Sequence, residues 1–400
     1  MIARVVGVGR VNTQTSNATS VRLKLGTDAA VTTGVIFTSA QTPTSEGWAT
    51  HVPTGLAAGA GYYYRVAVRD SLGAETLDTC AVGEFKTPPT GQTSFAFNAS
   101  SCCDATDSAA MASIAARRDD LFLHLGDAWY NDGGAKTIAN YRTQMENKLR
   151  VTNHAAVYST TPSSWTPSDH DFGMNDGVVG ATDTVARDLY NQAYRELLPV
   201  EPVPTTTGVY HTFTWGRARF IMLDGRTFKS ANADADNASK TILGAGQKHW
   251  LKDTLTAASE QLIVIACDVP WAGAAFTPDD EWRSYNTERQ ELVTFFNQSG
   301  RNIAYVAGDM HAVAADDGTN GFGIPSFQAS PLNNQASIKA GPYTAGPYPA
   351  SGTATVQQYG RFVVTDSGTS IALAYTGYSS DNTARVSYTK TYTTEAPSQA

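Results

Sequence analysis

The chain has 400 residues, a net charge of −8 and only 16% charged residues. This length is enough for two domains, or for one large domain with a companion, and it can bury a sizeable core. The acidic balance argues against a nucleic-acid-binding surface, and no apolar run approaches the length of a membrane span. The cysteines (Cys80, Cys102, Cys103 and Cys267) are too few and too scattered for a disulfide framework.

The first ten residues, MIARVVGVGR, show no cleavable signal pattern, so the chain is either a mature form or an intracellular protein. Its richness in Ala, Thr, Ser, Gly and Asn and its low Lys content favour an exported protein. We therefore expect an extracellular or periplasmic location, with the signal peptide absent from this sequence.

Residues 1–88 show the pattern of antiparallel β-structure. Short alternating segments such as VRLKLGT, TGVIFTS and YYYRVAVRD are separated by Gly, Asp and Pro turns and have no helical period. This predicts a small β-sandwich, and GLAAGAGYYYRVAVRDSLG resembles the late strands of fibronectin type III and immunoglobulin-like modules. Pro88 and Pro89 end the last strand and begin a linker. We place this N-terminal module at residues 1–90.

From about residue 94 the pattern changes to strands alternating with helices, which predicts an α/β domain. The apolar runs of strand length are SFAFNAS, DLFLHLG, RFIMLDG, QLIVIAC and NIAYVAG. The helical stretches between them are DSAAMASIAARR, KTIANYRTQMENKLR, ATDTVARDLYNQAYRELL, AGQKHWLKDTLTAAS and NTERQELVTFFNQSG. In the last of these, Asn286 or Thr287 is placed to cap the helix and Gly300 to end it.

After residue 321 the β signals return, in RFVVTDSG and SIALAYTGY. The segment before them, ASIKAGPYTAGPYPASGTA, contains too many Gly and Pro residues for regular structure, and its length indicates a functional rim. We assign residues 91–390 to one catalytic domain and residues 391–400 to a tail.

Several predicted strands lead directly into residues that bind metals or transfer protons. If the strands share one sheet, these side chains meet at its carboxyl edge. One aspartate at a strand end is usually structural, but five coincident clusters predict a metal or acid/base centre. The clusters are Cys102, Cys103 and Asp104; Asp127 and Tyr130; Asp169, His170, Asp171, Asn175 and Asp176; Cys267 and Asp268; and Asp309 and His311.

The mixture of ligand types favours a metal, and iron(III) in particular. The Asp309-x-His311 spacing brings two ligand types within reach of one ion. A thiolate alone would suggest zinc, but thiolate, phenolate, carboxylate and imidazole together suggest iron(III). Two ions that share a carboxylate can activate a hydroxide and hold a phosphoryl group.

Four motifs in this order, GDAWY, DHDFGMND, LDGR and GDMHA, resemble the alkaline phosphatase D (PhoD-like) branch of the metallophosphoesterases. The resemblance covers most of residues 94–380 and extends to LGAGQKHWL and VPW. It implies a four-layer α/β/β/α sandwich behind an N-terminal immunoglobulin/fibronectin III-like β-sandwich. It also implies a centre of iron(III) and calcium.

The resemblance further implies the role of each site residue. Cys102 matches the cysteine of the family's first-strand motif, Asp127 the bridging carboxylate and Tyr130 the tyrosinate. The other implied metal ligands are Asp169 or Asn175 from the loop PSDHDFGMND (the DH loop, residues 167–176), and the pair Asp309 and His311.

Two residues receive catalytic roles by the same resemblance. His170 would face the substrate phosphate as an acid or charge stabiliser. Arg226 would hold a phosphate oxygen, and a buried ion pair with Asp224 is an equally good alternative.

Three departures from the family pattern stand out. The family loop usually reads WDDH, whereas this chain has WTPSDH, with Ser168 in place of an aspartate. Cys103 is adjacent to Cys102 and competes with it as the thiolate ligand. Cys267 and Asp268 lie where other metallophosphoesterases have a histidine, so the second metal site can differ in identity or occupancy.

The predicted function is metal-dependent hydrolysis of phosphoesters, as a phosphomonoesterase, a phosphodiesterase or both, by a metal-activated hydroxide. The expected partner is a phosphoester substrate. One alternative, kept open by the altered WTPSDH loop, is a catalytically silent surface-binding protein on a degenerate phosphatase scaffold; the intact set Asp127, Tyr130, Asp309 and His311 argues against it. Another is a phosphotriester or phospholipid hydrolase at the same metals.

Overall fold

The computed structural model describes residues 3–77, 82–104, 106–130, 132–199, 204–205, 207–273 and 280–394. Cys80 and residues 395–400 of the predicted tail lie outside these ranges. The described α-helices are α1 (Ala109–Arg117), α2 (Ile138–Arg150), α3 (Thr152–Tyr158), α4 (Val179–Thr182), α5 (Thr184–Leu197), α6 (Gly244–Ala257) and α7 (Asn286–Ser299).

The described strands form two large sheets, two N-terminal sheets and one small ribbon. They are β1 (Ala3–Gly7), β2 (Arg10–Gln14), β3 (Ser20–Gly26), β4 (Ile36–Phe37), β5 (Trp48–His51), β6 (Gly61–Arg69), β7 (Glu75–Leu77), β8 (Gly83–Lys86), β9 (Phe95–Ser100), β10 (Leu121–His124), β11 (Ser163–Trp165), β12 (His211–Trp215), β13 (Ala218–Met222), β14 (Leu262–Cys267), β15 (Ile303–Ala307), β16 (Val313–Asp316), β17 (Ser326–Gln328), β18 (Asn334–Gln335), β19 (Ala345–Tyr348), β20 (Thr355–Val356), β21 (Gln358–Asp366), β22 (Ser370–Ser379) and β23 (Ala384–Thr393).

The N-terminal strands form the sheets β1-β2-β5 and β4-β3-β6-β7, with β8 paired to β6. One apolar cluster takes side chains from both sheets, among them Val6 and Val11 from the first and Leu23 and Tyr64 from the second. The β-structure predicted for residues 1–88 is therefore present. The β-sandwich fold of this module stays a prediction.

The rest of the chain is a mixed α/β fold with two large sheets. Their strand orders are β11-β10-β9-β21-β22-β23 and β12-β13-β14-β15-β17-β16-β19. Strands β9, β10 and β11 are parallel to one another, as are β13, β14 and β15. The carboxyl ends of each parallel set therefore lie at one edge of its sheet.

Both faces of these strands are buried, which explains why their sequences are continuously apolar. In β14, Val264 contributes to an apolar cluster shared with the six-stranded sheet, whereas the next residue, Ile265, contributes to a cluster shared with α6 and α7. Successive side chains of a strand point to opposite faces, so a strand buried on both sides is apolar at every position. Phe97 of β9 stacks on Phe362 at 4.5 Å and meets Phe220 of β13 edge-on at 5.3 Å, which joins the two sheets. The four-layer arrangement itself stays a prediction.

All five predicted helices are present, as α1, α2, α5, α6 and α7. The predicted cap of α7 is wrong: the helix begins after Tyr285 without a side-chain cap of its own, and Asp236 accepts the Thr287 N–H at 3.0 Å instead. Gly300 ends α7 in the left-handed conformation, as expected. None of the described helices is long and apolar enough to cross a membrane.

Two details near the C-terminus differ from the sequence expectation. The Gly/Pro-rich segment is not free of regular structure, because β19 lies within it and pairs with β16. Strand β23 runs to Thr393 and pairs with β22 along its length, so residues 391–393 of the predicted tail belong to the sheet.

Candidate metal centre

The strand-end clusters of the two large sheets meet at one place. Asp309, after β15, donates its backbone N–H to the Ser101 hydroxyl after β9 at 3.2 Å, which ties the two sheet edges together. Around this junction lie side chains that follow six strands. They are Cys102 after β9, Asp127 and Tyr130 after β10, Asp169 and His170 after β11, Arg226 after β13, Asp268 after β14, and Asp309 and His311 after β15.

The backbone at this junction is strained. Cys102, Asp127 and Asp309 have φ values of 58°, 52° and 58°, in the left-handed region that non-glycine residues rarely adopt. The neighbouring turns are tight: a Cβ on Gly126 would lie 2.7 Å from the Ser168 backbone nitrogen, and one on Gly308 would lie 2.7 Å from the Leu125 carbonyl oxygen. Strain of this kind persists where it positions functional groups.

Cys102, Asp127, Tyr130 and His311 form a continuous set of donor atoms. Asp127 Oδ2 lies 3.5 Å from Cys102 Sγ and 3.3 Å from the Tyr130 hydroxyl, and the same hydroxyl lies 3.3 Å from His311 Nε2. Thiol, carboxylate, phenol and imidazole thus point at one another over short distances. This is the ligand mixture that the sequence predicts for an iron(III) site.

The electrostatics of this set favour a bound cation. Burial, together with the charges of Asp169, Asp171 and Asp309, holds the pKa of Asp127 well above its usual range. Burial also raises the pKa of the Cys102 thiol, and the carboxylates of Asp127 and Asp309 raise it further. A metal ion would reverse both shifts, because it stabilises the deprotonated forms.

His311 is already oriented as a metal ligand. Its Nδ1 lies 2.6 Å from the Gln335 carbonyl oxygen, a contact that requires a proton on Nδ1 and leaves the lone pair on Nε2. Burial lowers the pKa of His311 to about 4, so the neutral ring is the stable form at neutral pH. Nε2, the nitrogen that carries the lone pair, is the ring atom that faces Tyr130.

The DH loop is held against Asp127 through Asp171. The Asp171 carboxylate accepts the backbone N–H groups of Asp127, Ala128 and Ser168 at 2.8–2.9 Å. The His170 N–H in turn donates to Asp127 Oδ1 at 3.2 Å. Asp171, which the sequence analysis counted in this cluster but gave no role, therefore positions the loop.

The His170 ring lies over the Tyr130 ring at a centroid distance of 3.9 Å. Its Nδ1 lies 2.9 Å from Asp132 Oδ1, and the histidine side chain is 12% exposed. The imidazole is thus held between a carboxylate and the candidate metal ligands, with access to solvent. This is a suitable position for a group that meets a substrate.

The DH loop places its two predicted ligands differently. Asp169 is buried and lies with Asp127 and His170, all three offering ligand atoms within 4.8 Å of one another. Asn175 is exposed, and its amide donates to Asp176 Oδ2 at 2.9 Å. Of the two alternatives, Asp169 is the one in contact with the centre.

A second group of ligand types adjoins the first. Asp169, Asp176 and Asp280 also bring carboxylate oxygens within 4.8 Å of one another. Burial raises the pKa of Asp169, but the charges of Arg226, His170 and Lys339 together outweigh it, so that the pKa is below its usual value. The centre therefore has a thiol/phenol half around Asp127 and an acidic half around Asp169 and Asp280.

Arg226 is completely buried and belongs to the acidic half. Its Nε donates to Asp268 and its Nη1 donates to Asp280 at 2.9 Å. Asp224, the predicted partner, instead accepts backbone N–H groups, including that of Arg226 itself. In this structure Arg226 is a buried ion-pair residue, as one of the two sequence alternatives held, but its carboxylate partners are Asp268 and Asp280.

The structure shows the contacts of the side chains at the three departures from the family pattern. Ser168 Oγ lies 3.0 Å from Asp169 Oδ1 and 3.1 Å from Asp268 Oδ2, so a neutral hydroxyl joins two carboxylates. Cys103 Sγ points away from the centre and lies 3.6 Å from His154 Nε2. It belongs to the apolar cluster that includes residues of α1, α2, α3 and α5. Cys267 Sγ lies against its neighbour Asp268 at 3.3 Å.

The model of the PhoD-like phosphatase family matches residues 95–379. The chain belongs to this family. The chain is 25% identical over 303 residues to alkaline phosphatase D of Bacillus subtilis (strain 168), a match that covers 63% of this chain and 51% of the relative. The chain thus spans about half the length of the curated relative that it matches.

Two solved structures share the fold of this PhoD-like chain. A PhoD structure matches 99% of this chain and 92% of its own at a TM-score of 0.74 and 18% identity. A purple acid phosphatase isolated from yellow lupin (Lupinus luteus) seeds matches 97% of this chain and 73% of its own at a TM-score of 0.68 and 11% identity. At these identities the likeness concerns the fold.

Sequence reasoning missed two charged residues of the candidate centre. Asp280 follows no predicted strand, so no pattern marked it. Lys339 lies in the Gly/Pro-rich segment, and its Nζ is 3.2 Å from Asp309 Oδ2. The length of that segment indicated a functional rim, but nothing in it singled out the lysine.

Proposed function

We propose that the protein is a metal-dependent phosphoester hydrolase that acts on monoesters, diesters or both. The family membership supports phosphoester chemistry. The observation that carries the proposal is the set Cys102, Asp127, Tyr130 and His311, whose donor atoms follow one another at 3.3–3.5 Å after three separate strands.

The donor set fits a metal ion. A thiol, a phenol and a carboxyl whose pKa values are all raised are unstable as charged groups without a cation. Within the described residues, no lysine or arginine forms an ion pair with Asp127. We propose that Cys102, Asp127, Tyr130 and His311 hold iron(III), and that Asp127, Asp169 and Asp309 take part in a second site for calcium.

The metals would supply Lewis-acid stabilisation of the phosphoryl oxygens and activation of water. The protein's own groups would position the substrate and move the proton. His170, oriented by Asp132 and by the Tyr130 ring, is placed to protonate the leaving oxygen or to stabilise charge on the phosphoryl group. Asp171 would hold His170 in position by fixing the DH loop.

Arg226 has a different proposed part from the one expected from sequence. Its guanidinium is fully buried and already donates to two carboxylates. We propose that it neutralises the acidic half and holds Asp268 and Asp280 in place, and that it does not contact the phosphate.

The experiment that tests this function measures turnover of an aryl phosphate monoester, a bis-aryl phosphate diester and a triester by the purified protein. It is done before chelation, after chelation and after metal is added back. We expect hydrolysis of the monoester or the diester, loss of it on metal removal and recovery on reloading. Absence of turnover on all three substrates by a metal-loaded, folded protein would contradict the proposal and favour a silent scaffold. Turnover of the triester alone would identify a phosphotriester hydrolase. We also propose an extracellular or periplasmic location, which the composition supports.

A further inference from the structure

The two halves of the centre differ in how their negative charge is compensated. In the acidic half, Lys339 Nζ lies 3.2 Å from both carboxylate oxygens of Asp309, 3.6 Å from Asp176 Oδ1 and 3.7 Å from Asp280 Oδ1. Arg226 adds a second cation to the same carboxylates, 2.9 Å from Asp280 and 3.9 Å from Asp309. The thiol/phenol half has no such ion pair among the described residues.

Lys339 reaches the carboxylates from a backbone that is fixed independently of its ammonium group. The next residue, Ala340, donates its N–H to Glu281 Oε1 at 2.8 Å, and the Gly341 N–H donates to the Ala272 carbonyl at 3.3 Å. The Tyr343 hydroxyl donates to the Lys339 carbonyl at 3.2 Å. The side chain can therefore leave the carboxylates by rotation about its own bonds, while its backbone stays in place.

The position of the ammonium group is that of a cation in an oxygen-lined pocket. Asp169, Asp176 and Asp280 offer carboxylate oxygens within 4.8 Å of one another, and Lys339 Nζ contacts two of these three residues. A divalent ion bound by the same oxygens would meet the ammonium at close range. Two cations cannot share these few ångströms without strong repulsion.

We propose that Lys339 Nζ occupies the position of the second cation, and that Lys339 and a divalent ion bind the Asp280 and Asp309 carboxylates in a mutually exclusive way. The inference rests on the proposed function, because it assumes a centre that takes metal. Its consequence is that the second ion binds weakly and reversibly, whereas no lysine or arginine of the described residues competes for the site of Cys102 and Tyr130.

The test is the affinity of the purified protein for calcium, measured by isothermal titration calorimetry with the tightly held metal left in place. Lys339→Met removes the ammonium and keeps the apolar stem. We expect its calcium dissociation constant to fall at least tenfold relative to the wild type, or one further calcium ion to bind. Lys339→Arg keeps the charge and should bind calcium as weakly as the wild type does.

The matched control is Lys252→Met, which removes a lysine that pairs with Glu291 at 2.6 Å on the surface of α6, outside the centre. Its calcium affinity should equal that of the wild type. Lys339→Gln serves in place of Lys339→Met if the latter shows a lowered thermal midpoint. Calcium binding by the folded Lys339→Met or Lys339→Gln protein that is equal to or weaker than that of the wild type, or no calcium binding by any variant, would overturn the inference.

Elemental analysis of the same samples separates this outcome from failure of the proposed function. Stoichiometric iron in all variants, with unchanged calcium affinity, would leave the metal-dependent function standing and reject the role of Lys339. Absence of any tightly held metal in the wild type would reject the proposed centre itself, and the inference with it.

Discussion

Replacing Arg226 by methionine distinguishes the two roles that the sequence left open for this residue. The guanidinium is fully buried, and so are its partners Asp268 and Asp280. Methionine fills much of the same volume without charge, so the main effect is to leave buried carboxylates uncompensated. We expect the folded protein to be destabilised at pH 7 with little change in the substrate's direct surroundings.

The size of the effect follows from these contacts. Breaking a buried ion pair by removing one partner costs about 3–5 kcal/mol. The carboxyl groups can escape part of this by taking up a proton, which costs about 4 kcal/mol at pH 7 for a group with a usual pKa near 3.9 and about 1.5 kcal/mol at pH 5. We therefore predict a loss of about 3–5 kcal/mol at pH 7 that shrinks towards pH 5.

The sign of the pH dependence follows from Asp280. Burial raises its pKa, but Arg226 and two lysines outweigh burial and hold it well below its usual range in the wild type. A depressed pKa contributes stability above the unfolded value and loses it as pH falls through the folded value. Without Arg226 the pKa of Asp280 rises, so the difference between wild type and variant grows as pH rises above about 4.

The assay is guanidinium denaturation of the chelated proteins at pH 5 and pH 7, followed by tryptophan fluorescence. Arg219→Met is the control, since its bidentate pair with Glu260 is partly exposed and should contribute less than about 1 kcal/mol. An Arg226→Met protein as stable as the wild type, but with a raised KM for a phosphoester, would refute this reasoning and restore the phosphate-binding role.

Three further predictions follow from the same contacts. His170→Ala should lower kcat by about two to four orders of magnitude with an unchanged thermal midpoint, and an unchanged kcat would exclude His170 from proton transfer. Exhaustive chelation should abolish turnover, and full turnover with metal content verified as zero would contradict metal dependence. Deletion of residues 1–90 should leave the iron content intact but lower the stability of the protein. The reason is that Trp48 Nε1 donates to Glu146 of α2 at 2.9 Å and Asn12 donates to the Leu197 carbonyl at 3.0 Å. Loss of iron from a truncated protein that still folds would contradict this prediction.

The sequence predicted the parts of the fold that depend on local pattern. Strands buried on both faces, such as β14, and amphipathic helices, such as α5, are recognisable because the buried faces determine which positions are apolar. Strand ends were expected to meet at the edge of one shared sheet; instead Asp127 follows β10 of one large sheet and Asp309 follows β15 of the other, and the two sheet edges meet. The family resemblance proposed Cys102 for the same centre and left Cys103 as its competitor; the structure directs Cys103 Sγ towards His154 instead.

What the sequence could not predict depends on side chains that arrive from elsewhere. Asp236 caps α7 although it lies far from the helix in sequence, so the local rule chose Asn286 or Thr287 instead. Asp268 pairs with Arg226 because the neighbouring strands β13 and β14 lead into them, and Asp280 reaches the same guanidinium from a part of the chain more than 50 residues away. Asp224, nearer in sequence, is instead used by backbone N–H groups.

The central claim is that Cys102, Asp127, Tyr130 and His311 hold a metal on which phosphoester hydrolysis depends. The most direct measurement is the iron content and visible absorption of the wild type, Cys102→Ser and Cys103→Ser. We predict a coloured wild-type protein with bound iron, loss of colour, iron and activity in Cys102→Ser, and an unchanged Cys103→Ser. A colourless wild type that carries only zinc, or bleaching by Cys103→Ser but not by Cys102→Ser, would contradict it.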